Sequence, residues 1–254
     1  MSIAACASLV QSGDPDRFLA TMTAPPETRA ALFVLYAFNL EVAKAPWVTS
    51  EPLIAQMRLQ WWRDVIADAV AGRPIRAHEV AESLADLIAQ YDIADLLDAM
   101  VAAREWDIKK RAFADAAALD AHLDATSGHL MWAAALTCGA SPDLEQAVRD
   151  VGFGLGVANW LRAVPAYVAQ GRIPLVDGRD QGVQALANAG LARLASARRV
   201  DLQVALPALR PAWQARAVLA QAVSDPARVS EGQLGTSEFR RRGSLLWAQI
   251  RGRW

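Results

Sequence analysis

The sequence predicts an all-α protein, and three observations carry that expectation. Alanine, leucine and arginine dominate, all of them residues that lose little on entering a helix. Runs of β-branched residues with a period of two, the mark of a half-buried strand, are missing. Residues instead recur at helical spacing, as in the apolar Leu32, Leu35 and Tyr36 followed by Asn39. At 254 residues, 54% of them hydrophobic, the chain is long enough to bury one substantial core, and it is expected to form a single domain over 1–254.

In chain order, a first helix is expected over residues 5–22, with Asp14 or Asp16 near a cap and Pro15 at a helix start. Pro25-Pro26 separates it from a second helix beginning near Glu27. The segment 52–74 reads as a long amphipathic helix stopped by Gly72 and Pro74. Helices follow at 78–91 and 92–110. The second carries Arg104, Glu105, Asp107, Lys109 and Lys110 on a side that faces either solvent or a pocket. Another helix covers 116–138. From Val151 an apolar helix with Gly152, Gly154, Gly156 and Ala158 on its surface admits close neighbours and runs toward a turn at Gly171-Arg172. GRDQG (178–182) reads as a loop, and alanine-rich helices at 183–199 and 208–222 are separated by Pro207 and Pro211. No fixed repeat is present.

Composition narrows the function. A net charge of −1 gives no general electrostatic reason to expect nucleic acid. Cys6 and Cys138 have neither CxxC nor Cys/His spacing, so no zinc site or disulfide framework is expected. His78, His122 and His129 are scattered. No apolar run reaches the ~18 residues that span a bilayer, and no basic n-region precedes an apolar segment at Met1-Ser2-Ile3. A cytoplasmic location is the expectation. The tail EFRRRGSLLWAQIRGRW (238–254) allows two readings. It lies on a membrane surface or an acidic partner through Arg240, Arg241, Arg242, Trp247, Arg251 and Trp254, or it docks as a last helix through Leu245, Leu246, Trp247 and Ile250.

Three segments carry a resemblance. VGFGLGVANWLRAVPAYVAQGRIPLV (151–176) resembles the Q-L-x-N-x-x-R-D-x-x-x-D-x-x-x-G-R pattern of the squalene/phytoene synthase family, with Asn159, Arg162, Gly171 and Arg172 matching. RAALFVLYAFNLEVAKAPW (29–47) is similar to the family's Y-x-F-C-R-x-x-D-D-x-x-D, matching at Tyr36 and Phe38. MRLQWWRDVIAD (57–68) retains Arg58-Leu59 and Trp62-Arg63, and Ser127-Gly128 falls where the family packs a small pair. A family tyrosine falls on His122. The resemblance implies an isoprenoid-synthase-like helical bundle. It also exposes a gap: the family's aspartates are Ala43, Lys44 and Trp47 in one motif, Ala163 and Tyr167 in the other.

That gap bears on chemistry. The family's enzymes ionise prenyl diphosphates with magnesium, a hard cation held by carboxylate oxygens. Carboxylates at i and i+4 share one helix face, yet those positions read Ala43/Trp47 and Ala163/Tyr167. Glu41 points about 200° away from position 43, and no acid lies between Asp150 and Asp177. Pro46 and Pro165, each placed where an interior proline costs about 3 kcal/mol, are expected to bend or end their helices, so the two faces would not be held in register. No metal, no cofactor and no catalytic residue is expected.

The departures match those of one non-catalytic branch, the assembly factor of respiratory complex I: AFNLEVA (37–43), the segment 57–68 and LRAVP (161–165) resemble it most. This implies protein partners, among them NADH dehydrogenase subunits, with a binding surface around Asn39, Glu41, Arg58, Asn159, Arg162 and Arg172. Lys44, Arg162 and Arg172 either meet an anion or pair structurally. Trp61, Trp62, Trp132 and Trp160 either line a residual tunnel or are core. Two alternatives stand beside this reading: an active squalene/phytoene-type synthase, and a module that holds a prenyl lipid without turning it over.

Overall fold

The computed structural model describes residues 3–109 and 111–254, and the regular elements among them are all helical. The first expected helix is in fact two, α1 (Ile3–Gly13) and α2 (Pro15–Met22). Asp14 makes the break. Its φ of −145° leaves the helical region, its carboxylate accepts the Arg17 amide at 3.0 Å, and Pro15 occupies the first turn where no amide is needed. Then come α3 (Pro26–Lys44) and α4 (Pro52–Val70), both opened by proline, and Gly72 with φ +63° turns the chain away from α4.

Beyond α5 (Ala81–Gln90), the helix expected over 92–110 divides at Arg104 into α6 (Ala94–Ala103) and α7 (Glu105–Lys109). Lys110, assigned to the same helix face, lies outside the described residues. The stretch 116–138 is interrupted too. It comprises α8 (Ala116–Leu123), a π-turn at Asp124–Gly128, and α9 (His129–Thr137).

The long helix α10 (Glu145–Ala169) is the axis of the bundle. It packs against α9, the π-turn and two later helices, α11 (Asp180–Ala197) and, beyond the short α12 (Leu206–Leu209), α13 (Ala215–Ser224). From Ala147 to Ala158 its apolar residues are buried all round, as expected of a helix segment without a solvent face, whereas Val168 near its C-terminus is exposed. At Gly152 a Cβ would stand 2.8 Å from the Gly128 Cα, so the small pair at Ser127-Gly128 is met by a glycine, backbone against backbone. The chain closes with α14 (Ala227–Ser230) and α15 (Glu238–Ile250).

Three expectations are corrected here. Pro165 neither ends α10 nor shortens it, since the helix continues to Ala169. Asp180, read as part of a loop, is the first residue of α11. Residues 208–222 are not one helix, because a 3-10 turn at Arg210–Ala212 containing Pro211 separates α12 from α13.

Candidate functional site

The C-terminus of α10 builds one end of the site. The Arg172 amide donates to the Tyr167 carbonyl at 3.0 Å and the Gly171 amide to the Val168 carbonyl at 2.9 Å. This is a Schellman cap, and it needs Gly171 at φ +70°. The cap reverses the chain so that Arg172 turns back beneath Tyr167. The Arg172 side chain is 4% exposed and donates from Nη1 to Asp107 Oδ1 at 2.8 Å, with Asp107 fully buried. Its guanidinium also stacks 4.1 Å over the Trp47 ring. Burial pushes the Asp107 carboxyl up from its ordinary range, while the charges of Arg104 and Arg172 and a hydrogen bond from Tyr167 oppose that rise.

Trp47 and Tyr167 are the last aspartate positions of the two family motifs, and their rings lie 5.2 Å apart. The two segments therefore do face each other. The expectation that Pro46 and Pro165 would spoil this alignment is corrected: Pro46 falls in the turn after α3, and α10 carries Pro165 within its length. What meets across the gap is an aromatic pair and an internal cation.

Behind this pair lies an aromatic cluster of Trp106, Phe113, His122, Trp160 and Tyr167, with centroids between 4.5 and 5.8 Å apart. Trp160 donates from Nε1 to the Pro174 carbonyl at 3.0 Å, which fixes its ring. Burial drives the His122 imidazole down to about 3, and the nearby Arg104 charge adds to this, so the ring is neutral at neutral pH. Beside the cluster a cavity of about 220 Å³ remains, rimmed by Arg17, Asn39, Arg104, Thr126, Ser127 and Asn159, with Ala163 and Tyr167 at its edge. A smaller cavity of about 130 Å³, lined by Asp14, Arg17, Asn159 and Arg162, adjoins it.

The predicted site residues separate into three places. Asn39 and Asn159 meet at the central cavity, and Arg162 faces the smaller one. Arg172 is buried and cannot serve as a contact surface. Arg58 and Lys44 are exposed, Glu41 is half-buried, and none of the three lines the central cavity. Sequence reasoning missed Arg17 as a cavity residue, whereas Arg104, left open between solvent and a pocket, lines the cavity. The same reasoning placed Asp107 with Glu105 and Lys109, which are exposed and paired to each other at 2.7 Å. Of the four tryptophans, Trp62, Trp132 and Trp160 are buried, and Trp61 packs on Trp62 and His78.

The residues present do not fit a magnesium–diphosphate cluster. Positions 43, 47, 163 and 167 offer no carboxylate, and Asp107, the buried acid beside them, is already engaged by Arg172. Among the described residues no group of three or more His, Cys, Asp or Glu side chains is placed to hold a metal ion.

Of the four residues that the docking reading of the tail named, one docks. In α15 only Leu245 is buried, while Phe239, Leu246, Trp247 and Ile250 are exposed. Among the described residues no helix is long and apolar enough to cross a membrane.

An all-helical bundle with two facing motif segments defines the class: the helical isoprenoid synthase fold. A dehydrosqualene synthase in complex with ligand superposes with a TM-score of 0.70 at 14% identity, covering 98% of this chain and 95% of the other. The squalene synthase HpnC from Alicyclobacillus acidocaldarius does so with 0.62 at 16%, covering 98% and 94%. Residues 10–244 match the squalene/phytoene synthase family, and the chain belongs to that family.

Its similarity to curated relatives runs in one direction. It is 26% identical over 172 residues to the Homo sapiens protein named NADH dehydrogenase (ubiquinone) complex I, assembly factor 6, covering 66% of this chain and 51% of that protein. It is 31% identical over 168 residues to the Drosophila melanogaster homolog, covering 63% and 50%. The chain thus spans about half the length of the curated relatives it matches.

Proposed function

We propose that this chain is a non-catalytic member of its family that acts as an assembly or accessory factor for the respiratory NADH dehydrogenase, complex I. One observation carries the reading. Where the family's enzymes need carboxylates facing each other across a cleft, this chain packs Trp47 on Tyr167 and threads Arg172 to Asp107 beside them. An arginine held in the fold takes the place of a dissociable cation, and it cannot follow a leaving diphosphate. The names of the relatives in Homo sapiens and Drosophila melanogaster support the assembly role.

The finer assignments belong to the same proposal. The partners are NADH dehydrogenase subunits, and the protein works in the cytoplasm, peripherally at the inner membrane, with contact through the tail residues Arg240, Arg241, Arg242, Trp247, Arg251 and Trp254. The partner-facing surface includes Glu41 on α3 and, on α4, Arg58, which shares that helix with the exposed Leu53 and Met57. Charge reversal at Arg58 that left capture of complex I subunits intact would remove this surface from the proposal.

The cavity beside Asn39 and Asn159 favours a second reading, the holding of a prenyl lipid or its diphosphate without turnover. Incubation of the purified chain with farnesyl and geranylgeranyl diphosphate, with and without magnesium, separates the cases. Neither binding nor product is expected. Binding that ignores magnesium would install the second reading, and magnesium-dependent product would overturn both.

A further inference from the structure

The outer face of α15 has no partner among the described residues, and its pattern specifies one. At about 100° per residue, Leu246, Phe239, Ile250 and Trp247 fall about 100–200° around the helix from the buried Leu245. They are 62%, 88%, 68% and 58% exposed, respectively. Inward, the helix is fastened. Arg241 pairs with Asp16 at 2.7 Å, the Trp213 indole donates to the Arg241 carbonyl at 3.4 Å, and Gln203 Nε2 reaches the Gly252 carbonyl at 3.3 Å.

Arginines border the apolar stripe on both sides. Arg242 lies about 60° from Leu245, and Arg240 and Arg251 lie about 220–240° from it. The Arg251 guanidinium sits 4.4 Å over the Trp247 ring, placing a charge at the lip of the apolar face. Glu238 is the one acid in the last 17 residues, against five arginines, in a chain whose net charge is −1. It is bound to Arg242 at 2.6 Å.

An apolar strip with a tryptophan, edged by arginines and with no carboxylate among its own residues, matches the boundary of a bilayer that carries anionic headgroups. The apolar residues enter the acyl region and the guanidiniums meet phosphates. A hydrophobic protein groove would satisfy the apolar strip alone, and gives no reason for a cationic border on both edges. We propose that α15 is an interfacial helix that holds this protein flat on an anionic membrane surface, with Phe239, Leu246, Trp247 and Ile250 inserted. This deepens the peripheral-contact reading above and rests on it.

The test is co-flotation of the full chain with vesicles of phosphatidylcholine alone or mixed with phosphatidylglycerol, beside Leu246→Glu/Ile250→Glu and Arg240→Gln/Arg242→Gln/Arg251→Gln. Circular dichroism confirms folding, and all five positions are exposed. Binding is expected on the mixed vesicles and not on the neutral ones. The double variant should bind at least about tenfold more weakly, and the arginine variant should lose the salt-sensitive part. Failure of the wild-type chain to float with mixed vesicles, or equal flotation of the double variant, would overturn the proposal. So would a wild-type dimer, inert toward vesicles, that the double variant converts to a monomer, since the stripe would then belong to a second copy. Capture of complex I subunits, measured separately, reports on the assembly role independently of these outcomes.

Discussion

Arg172 and Asp107 stand 65 positions apart in the chain and meet at 2.8 Å, both essentially out of solvent. Removing one member of such a pair strands the other charge, which costs about 3–5 kcal/mol, whereas replacing both by apolar groups of similar size is often neutral. Arg104, 3.8 Å from Asp107, still offsets part of that charge, so Arg172→Met is expected to lower the urea unfolding free energy by less than that amount. Arg172→Met with Asp107→Leu should recover most of the loss. A double variant no more stable than Arg172→Met would show that the arginine's stacking on Trp47 carries the effect.

Two glycines at the ends of this architecture should fail for different reasons. Gly152→Ala places a methyl group 2.8 Å from the Gly128 Cα, backbone that cannot rotate aside, and overpacking of this kind costs about 1–3 kcal/mol. Gly171→Ala meets nothing within 4 Å but must hold φ at +70°, which costs on the order of 1 kcal/mol. The first variant should lose stability more than the second. Only the second should change the near-ultraviolet circular dichroism of Trp47 and Tyr167, because it moves the cap that carries Arg172.

The helical class was legible because composition and apolar spacing act locally. The breaks were less so. Asp14 carried a cap signal, yet the apolar phase of α1 runs on past it. At Arg104 neither glycine nor proline marks the division, and α7 is too short to show a period. The loss of carboxylates could be read position by position against the family patterns. What replaced them could not, because Asp107 lies in a run of charges that looks solvated until an arginine 65 residues later is brought to it. Arg17 reaches the cavity only through the turn at Asp14, a tertiary consequence of a local cap.

His122 sets an acid limit on stability. Its folded value of about 3 lies below the ordinary 6.5, so below pH 6.5 the unfolded chain binds a proton that the folded one refuses. Stability therefore falls as pH falls, by about 1.4 kcal/mol per pH unit for this one proton once pH is well below 6.5. His129 is shifted the same way by burial and by Arg149, and adds to the slope. Urea unfolding between pH 6.5 and 5 should show the decline, and His122→Phe should reduce its slope by about one proton's worth. An unchanged slope in that variant would mean the imidazole is protonated in the folded protein.

Adjacent leucines in α15 give the sharpest contrast. Leu245 is 7% exposed and Leu246 is 62%. Sequence alone offers no way to choose between them, because 245, 246 and 247 are all apolar and together cover more than half of a helical turn. Leu245→Asp buries a carboxylate against the bundle and should free the helix from its Arg241–Asp16 and Trp213 contacts. Trypsin should then cut faster at Arg240, Arg241 and Arg242, while the melting temperature of the rest of the chain changes little. Leu246→Asp leaves the inward face intact and should be cleaved at the wild-type rate. Equal protection of both variants would mean that the fastening of α15 lies in its polar contacts rather than in Leu245.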